Sequence, residues 1–142
     1  MNIIIAGDGK VGSMLTRQLS GEGYDITVID NDARVLESSV ERYDVISVHG
    51  NCAAMATLLQ AGVKNADLLI ATASADELNL LCCVIAKRGS SCEVIARVRN
   101  PVYNQEVQYI KKELGLSMVV NPEHAAATEA ARILRFPSAI NI

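Results

Sequence analysis

Ile3-Ile4-Ile5-Ala6-Gly7-Asp8-Gly9-Lys10-Val11-Gly12 decides the fold. An apolar β-branched run leads into glycines at G-x-G-x-x-G spacing, and Val11, Met14 and Leu15 continue at helical spacing. The stretch reads as strand, tight turn and helix. Gly7 turns the chain sharply off the strand. Gly9 withholds a side chain where a pyrophosphate would approach, and Gly12 lets helix and strand pack closely. The start of the helix offers unpaired backbone N–H groups and the positive end of its dipole, which together attract an anion. Glycine spacing alone is a weak signal. Its place after an N-terminal strand strengthens it, as does Asp30 at the end of Ile26-Thr27-Val28-Ile29-Asp30, near the expected separation of about 20 residues. A carboxylate there accepts both hydroxyls of an adenosine ribose; the plainer alternative is a helix N-cap.

Outward from this unit, strands are expected over 2–6, 25–30, 45–48, 67–71, 93–98 and 117–120. Helices are expected over 10–20, 33–42, 53–61 and 76–87, and two more start at Asn100-Pro101 and Asn121-Pro122, the last running to 135. The helix over 33–42 takes Asn31 or Asp32 as its cap. Strict βαβ alternation argues a parallel sheet with right-handed crossovers. The expected fold is α/β, a doubly wound Rossmann-like parallel sheet of six strands in the order 3-2-1-4-5-6 with helices on both faces. Residues 1–136 are expected to form its one nucleotide-binding domain, and 137–142 a C-terminal tail or the start of a linker.

Half of the 142 residues are hydrophobic and only 4% aromatic, so the core is Ile, Val, Leu and Ala, as suits a sheet covered on both faces. A net charge of −3 gives no electrostatic footprint for nucleic acid or an anionic membrane. No apolar run approaches the ~20 residues of a membrane span, and no signal-peptide pattern opens the chain, so a cytoplasmic location is expected. Cys52, Cys82, Cys83 and Cys92 lack C-x-x-C spacing and read as buried small hydrophobes rather than a zinc site. No metal is expected.

In a doubly wound sheet, ligands meet the carboxyl ends of the strands. Those ends carry Gly7, Asp8, Gly9, Lys10, Val11 and Gly12, then Asp30-Asn31, then Gly50-Asn51-Cys52. Beyond the middle of the chain come Thr72-Ala73-Ser74, Asp76, Asn79, Arg97 and Arg99. Asn51 suits an adenine edge, or is only an ordinary turn residue. Asp76 and Asn79 share a helical face, with first-turn dipole compensation the simpler role for Asp76. Arg97 and Arg99 alternate onto one face and suit phosphate oxygens; an edge salt bridge is the alternative. His49 and His124 have no orienting partner in sequence and read as surface residues. No nucleophile–base order, carboxylate pair or H-E-x-x-H pattern appears, so no catalytic residue is assigned.

Ile5-Ala6-Gly7-Asp8-Gly9-Lys10-Val11-Gly12, Val28-Ile29-Asp30, His49-Gly50-Asn51-Cys52, Ala66-Asp67, Ala71-Thr72-Ala73-Ser74-Ala75-Asp76-Glu77-Leu78-Asn79, Ile95-Ala96-Arg97-Val98-Arg99-Asn100-Pro101 and Val120-Asn121-Pro122-Glu123 carry a resemblance. The chain resembles the N-terminal nucleotide-binding domain of the TrkA/KTN/RCK group, regulators of K⁺ transporters and channels, over almost its whole length. The resemblance implies an adenine nucleotide, NAD(H) or ATP/ADP/AMP, bound as a regulatory ligand without turnover. It implies a dimer that assembles into an octameric gating ring under a membrane K⁺ transporter or channel subunit, at the inner face of the membrane. Many members carry Asp where Asn51 stands, and many continue into a second domain about where this sequence ends.

Two other functions are open to the residues: a small NAD-dependent oxidoreductase with its substrate site between subunits, and a redox-sensing regulator. The apolar surplus favours self-association. The alanine-rich helix expected over 122–135 ends in Ile133 and Leu134, with Phe136 beyond, and Leu78, Leu80, Leu81, Val84 and Ile85 cannot all face one sheet.

Overall fold

A computed structural model of the chain describes residues 1–103, 105–116 and 118–120. The strands are β1 (Asn2–Ala6), β2 (Asp25–Asp30), β3 (Ile46–His49), β4 (Leu68–Ala71), β5 (Glu93–Arg97) and β6 (Met118–Val120). Between them run helices α1 (Lys10–Gly21), α2 (Ala33–Arg42), α3 (Met55–Gln60), α4 (Asp76–Gly89) and α5 (Val107–Glu113). All paired strands are parallel, and their order is β3-β2-β1-β4-β5-β6, as expected from the alternation.

The period of two along β1 explains the layering. Ile3 and Ile5 point into a core with Val11, Leu15 and Leu19 of α1 and Leu36 of α2. Ile4 and Ala6 point the other way, into a core with Leu58 of α3 and Cys82, Cys83 and Ala86 of α4. With β1 covered on both sides, its side chains from Ile3 to Ala6 are at most 2% exposed, which is why the strand reads as an unbroken apolar run. Ala6 pairs with Ile29 on one side and Ala71 on the other. The chain leaves β1 toward β2 and β4 toward β5 in opposite directions, so a crevice opens over the carboxyl ends of β1 and β4.

Two helices differ from expectation. The one expected over 53–61 is shortened to α3, and a 3-10 turn at Val63–Asn65 follows left-handed Gly62 (φ 85°). The helix expected from Asn100-Pro101 is interrupted. Asn100 does cap, its side-chain oxygen accepting from the Val102 N–H at 3.0 Å, but the turn it caps is a 3-10 turn over Pro101–Tyr103. The Tyr103 hydroxyl is bonded to Glu77 of α4, which ties this turn to a neighbouring element, and α5 starts only at Val107. The expected helix over 122–135, with Ile133, Leu134 and Phe136, the tail over 137–142 and His124 lie outside the described residues.

Candidate functional site

The glycine turn is built against two strands at once. Gly7 has φ +109° and donates its N–H to the Ile29 carbonyl of β2 at 2.8 Å. Its own carbonyl accepts from the Thr72 hydroxyl, just past β4, at 2.9 Å. A Cβ on Gly7 would stand 2.6 Å from the Ala73 nitrogen, and one on Gly12 would stand 1.7 Å from the Gly7 carbonyl oxygen. Gly12 therefore sets how closely α1 approaches the turn. Gly9 has no heavy atom within 4 Å of where its Cβ would be, so that space is open to a ligand.

Asp30 closes the same corner from β2. One carboxylate oxygen accepts from the Asp8 N–H at 2.8 Å, the other from the Asp32 N–H at 2.9 Å. Each oxygen keeps a further acceptor site for a ligand hydroxyl. Asp32, not Asn31, caps α2, accepting from the Arg34 N–H at 3.0 Å.

A cavity of about 590 Å³ occupies the crevice. Gly7, Gly9, Lys10 and Val11 line it from the turn, and Asp30 and Asn31 from the end of β2. Gly50, Asn51 and Cys52 line it after β3, Thr72, Ala73 and Ser74 after β4, and Arg97 and Arg99 from β5 onward. The Asn51 side-chain oxygen is engaged with the Ala53 N–H at 2.9 Å, so its amide N–H₂ is what remains for an adenine edge. The Arg99 guanidinium donates to the Ser74 carbonyl at 3.0 Å. Arg97 is only 4% exposed, although it lines the cavity.

Four expected site residues stand behind the wall. Asp8 turns inward to Ser39, and Gly12 packs on Gly7. Asp76 accepts from the Arg99 and Asn100 N–H groups at 2.9 and 2.7 Å, holding the loop that carries Arg99. Asn79, fully buried, donates to the Ala73 and Arg97 carbonyls and accepts from the Ala73 N–H at 2.7 Å. Asp76 and Asn79 do share a helical face, but that face meets backbone rather than the cavity.

Four lining residues were not expected at the site from sequence: Ile29, Asp32, Val35 and Leu78. Val35 and Leu78 supply apolar walls, and their only sequence signal is a place in the first turn of a helix that follows a crevice loop. His49 is exposed and its Nε2 lies 2.9 Å from the Asn31 carbonyl. All four cysteines are buried and free. Burial pushes the Cys92 thiol up to about 11, whereas a hydrogen bond from Cys82 holds Cys52 below the usual thiol range. No group of three or more metal-ligating side chains occurs among the described residues.

The family described as TrkA-N domain matches residues 3–122. A Trk system potassium uptake protein TrkA homolog from Archaeoglobus fulgidus is 37% identical over 142 residues. That match takes in the whole of this chain and 32% of the relative, so the chain spans about a third of that relative's length. The crystal structure of the TrkA-N domain of the Escherichia coli inner membrane protein ybaL superposes with a TM-score of 0.76 at 28% identity, covering 94% of this chain and 96% of that one. The Shewanella denitrificans Kef CTD in AMP-bound form superposes with a TM-score of 0.69 at 25% identity, covering 94% and 82%. With the glycine turn, Asp30, Arg97 and Arg99 all inside the matched stretch, the chain belongs to the TrkA-N domain family.

Proposed function

We propose that this chain is a regulatory nucleotide-binding domain of a K⁺ uptake system, taking an adenine nucleotide (NAD(H), ATP, ADP or AMP) without turning it over. The observation that carries this is the cavity at the β1/β4 switch point, which sets an open glycine turn, a ribose-type carboxylate and two arginines around one space. The residues fit the ligand. Phosphates seat against Gly9 and the start of α1, with Lys10, Arg97 and Arg99 supplying charge. The ribose hydroxyls donate to Asp30, and the base lies toward Gly50 and Asn51, between Val35 and Leu78. A relative named for K⁺ uptake and a similar domain in AMP-bound form support the same assignment.

What the groups around the cavity do supports regulation without turnover. Both Asp30 oxygens are held by backbone N–H groups, and Asp76 holds a loop, so neither is placed as a proton-transfer group. Coupling to a membrane partner rests on the surface of α4. Its buried stripe is Asp76, Asn79, Cys82, Cys83 and Ala86, and Leu78, Leu80 and Ile85 pack at the edge of the core, which leaves Leu81 51% exposed beside half-buried Val84. Such an apolar face favours self-association, first as a dimer and then as a gating ring on the cytoplasmic side of a transporter. No helix among the described residues is long and apolar enough to cross a membrane.

A thermal-shift panel of NAD⁺, NADH, ATP, ADP and AMP tests the assignment, because a ligand that binds the native state raises its stability by RT ln(1 + [L]/Kd). At least one adenine nucleotide raises Tm in a concentration-dependent way. A flat response to all five overturns the assignment, and oxidation of NADH or reduction of NAD⁺ would turn it toward an oxidoreductase.

A further inference from the structure

Asp8 is the one carboxyl of the glycine turn, yet it does not line the cavity. Its side chain is 2% exposed. One oxygen accepts from the Ser39 hydroxyl of α2 at 2.5 Å, and the other is buried with no hydrogen-bond partner among the described residues. The backbone N–H of the same residue is held by the Asp30 carboxylate at 2.8 Å, so a second acid faces it across a single peptide unit. An ionised carboxylate in that position lacks a cation and has one unsatisfied oxygen, which is costly. A neutral carboxylic acid fits better.

The groups facing it are few. From β2 comes Asp30, and from α2 the neutral Ser39. Lys10 begins α1 two residues on, with its side chain exposed, and Arg34 of α2 is 92% exposed and paired with Asp32 at 3.8 Å. Neither cation offsets the burial. Desolvation raises the Asp8 carboxyl above its ordinary range, the Ser39 hydrogen bond opposes that, and Asp30 adds to it.

We propose that Asp8 is a proton-linked check on phosphate-bearing ligands: in the pH range where the ligand-free carboxyl is still ionised, it takes up as much as one proton from solvent as the phosphates seat on the glycine turn, and releases it when they leave. This rests on the nucleotide reading of the cavity. Phosphates against Gly9 and Lys10 add negative charge directly above a buried acid, so its ionised form becomes still less favourable. Ligand and proton therefore bind with positive coupling, and by reciprocity affinity falls as pH rises. Asp8 is a positioning residue here. It never touches the ligand, and it acts through the field at the turn.

The experiment is calorimetric titration of the whole chain with NAD⁺ and with AMP, repeated in two buffers of different ionisation enthalpy and across a pH series. NAD⁺ is the cleaner probe, because its phosphates are diesters, whereas the phosphomonoester of AMP has a second pKa of about 6. The expected result is proton uptake on binding and affinity that falls with rising pH, by up to about tenfold per unit inside the coupled window. Asp8→Asn, an uncharged isostere, binds without proton uptake and with affinity flat in pH. Ser39→Ala removes the bond that stabilises the carboxylate, so the falling limb moves to higher pH. If Asp8→Asn fails to fold, the parent's buffer dependence with NAD⁺ and the Ser39→Ala displacement decide. Nucleotide binding with no proton uptake in the parent, or uptake retained in Asp8→Asn, overturns the proton-linked check and leaves the nucleotide assignment standing. No binding of either nucleotide overturns the proton-linked check, and the nucleotide assignment falls with it if the thermal-shift response to all five nucleotides is also flat.

Discussion

Gly12→Ala is the sharpest test of how the site is built. The added Cβ would stand 1.7 Å from the Gly7 carbonyl oxygen, where a real Cβ keeps at least 3.0 Å. The obstacle is backbone, and that backbone is held by the Gly7 N–H bond to Ile29 and the Thr72 hydroxyl bond to Gly7. No side chain can rotate away, so α1 must withdraw by over an ångström and pull Val11, Leu15 and Leu19 off the sheet. Overpacking costs roughly 1–3 kcal/mol when side chains do the yielding, so a backbone clash belongs at about 3 or above. Alanine returns about 1 kcal/mol of helix propensity. The net loss is about 2 kcal/mol or more, from a total stability of ~5–15, and Tm falls by about 4–8 °C. Urea unfolding followed by circular dichroism measures it. Gly9→Ala is the control. With nothing within 4 Å and φ −77°, it keeps stability within about 0.5 kcal/mol while weakening nucleotide binding, because its methyl occupies the phosphate approach. A Gly12→Ala protein as stable as the parent would refute the argument that this glycine sets the seat of α1.

Asp30→Ala weakens NAD⁺ and AMP alike by roughly 1–3 kcal/mol, the cost of a lost charge-assisted hydrogen bond, and calorimetry showing the parent to bind NADP⁺ more tightly than NAD⁺ would sink the ribose assignment. Lys10→Ala costs ATP more affinity than ADP, as a cation at the start of α1 reaches a terminal phosphate; equal losses leave it a general electrostatic contributor. Asn79→Ala strands the Ala73 N–H and the Ala73 and Arg97 carbonyls, lowering stability by about 2–3 kcal/mol, and an unchanged urea midpoint would show these bonds to be dispensable. The Asp8 carboxyl is raised by burial from 3.8, so the folded state keeps its proton after the unfolded chain has lost it. Stability is therefore full below about 3.8 and declines as pH rises through the folded-state value, and Asp8→Asn removes that decline from a pH series of urea midpoints.

The fold was legible because its signals are local. The glycine turn, the apolar run of β1 and the caps on α2 and the Pro101 turn each lie within a few residues of the structure they produce. The placement of ligand-facing loops followed from topology, since a doubly wound sheet fixes where its carboxyl ends converge. What sequence did not reveal is the second layer of polar bonds. Asp76 reaches Arg99 and Asn100 across 23 and 24 residues, Asn79 reaches Arg97 across 18, and Ser39 reaches Asp8 across 31. Nothing in the local pattern distinguishes a carboxylate that will face a ligand from one that will hold a loop.

The same layer accounts for the outer face of α4. A helix has one stripe to give its sheet, and here Asp76, Asn79, Cys83 and Ala86 occupy it at three- and four-residue spacing. Asp76 and Asn79 must lie on that stripe to reach the Ala73 backbone, the Arg97 carbonyl at the end of β5 and the Arg99 N–H. Once they do, helical geometry turns Leu81 outward and leaves Val84 and Ile85 only half covered. The apolar surplus on the surface and the polar bracing of the cavity are thus two sides of one helix. A partner packed on Leu81 would bear on the helix that holds the Ala73 backbone, the end of β5 at Arg97 and the loop that carries Arg99, and so on the wall of the cavity.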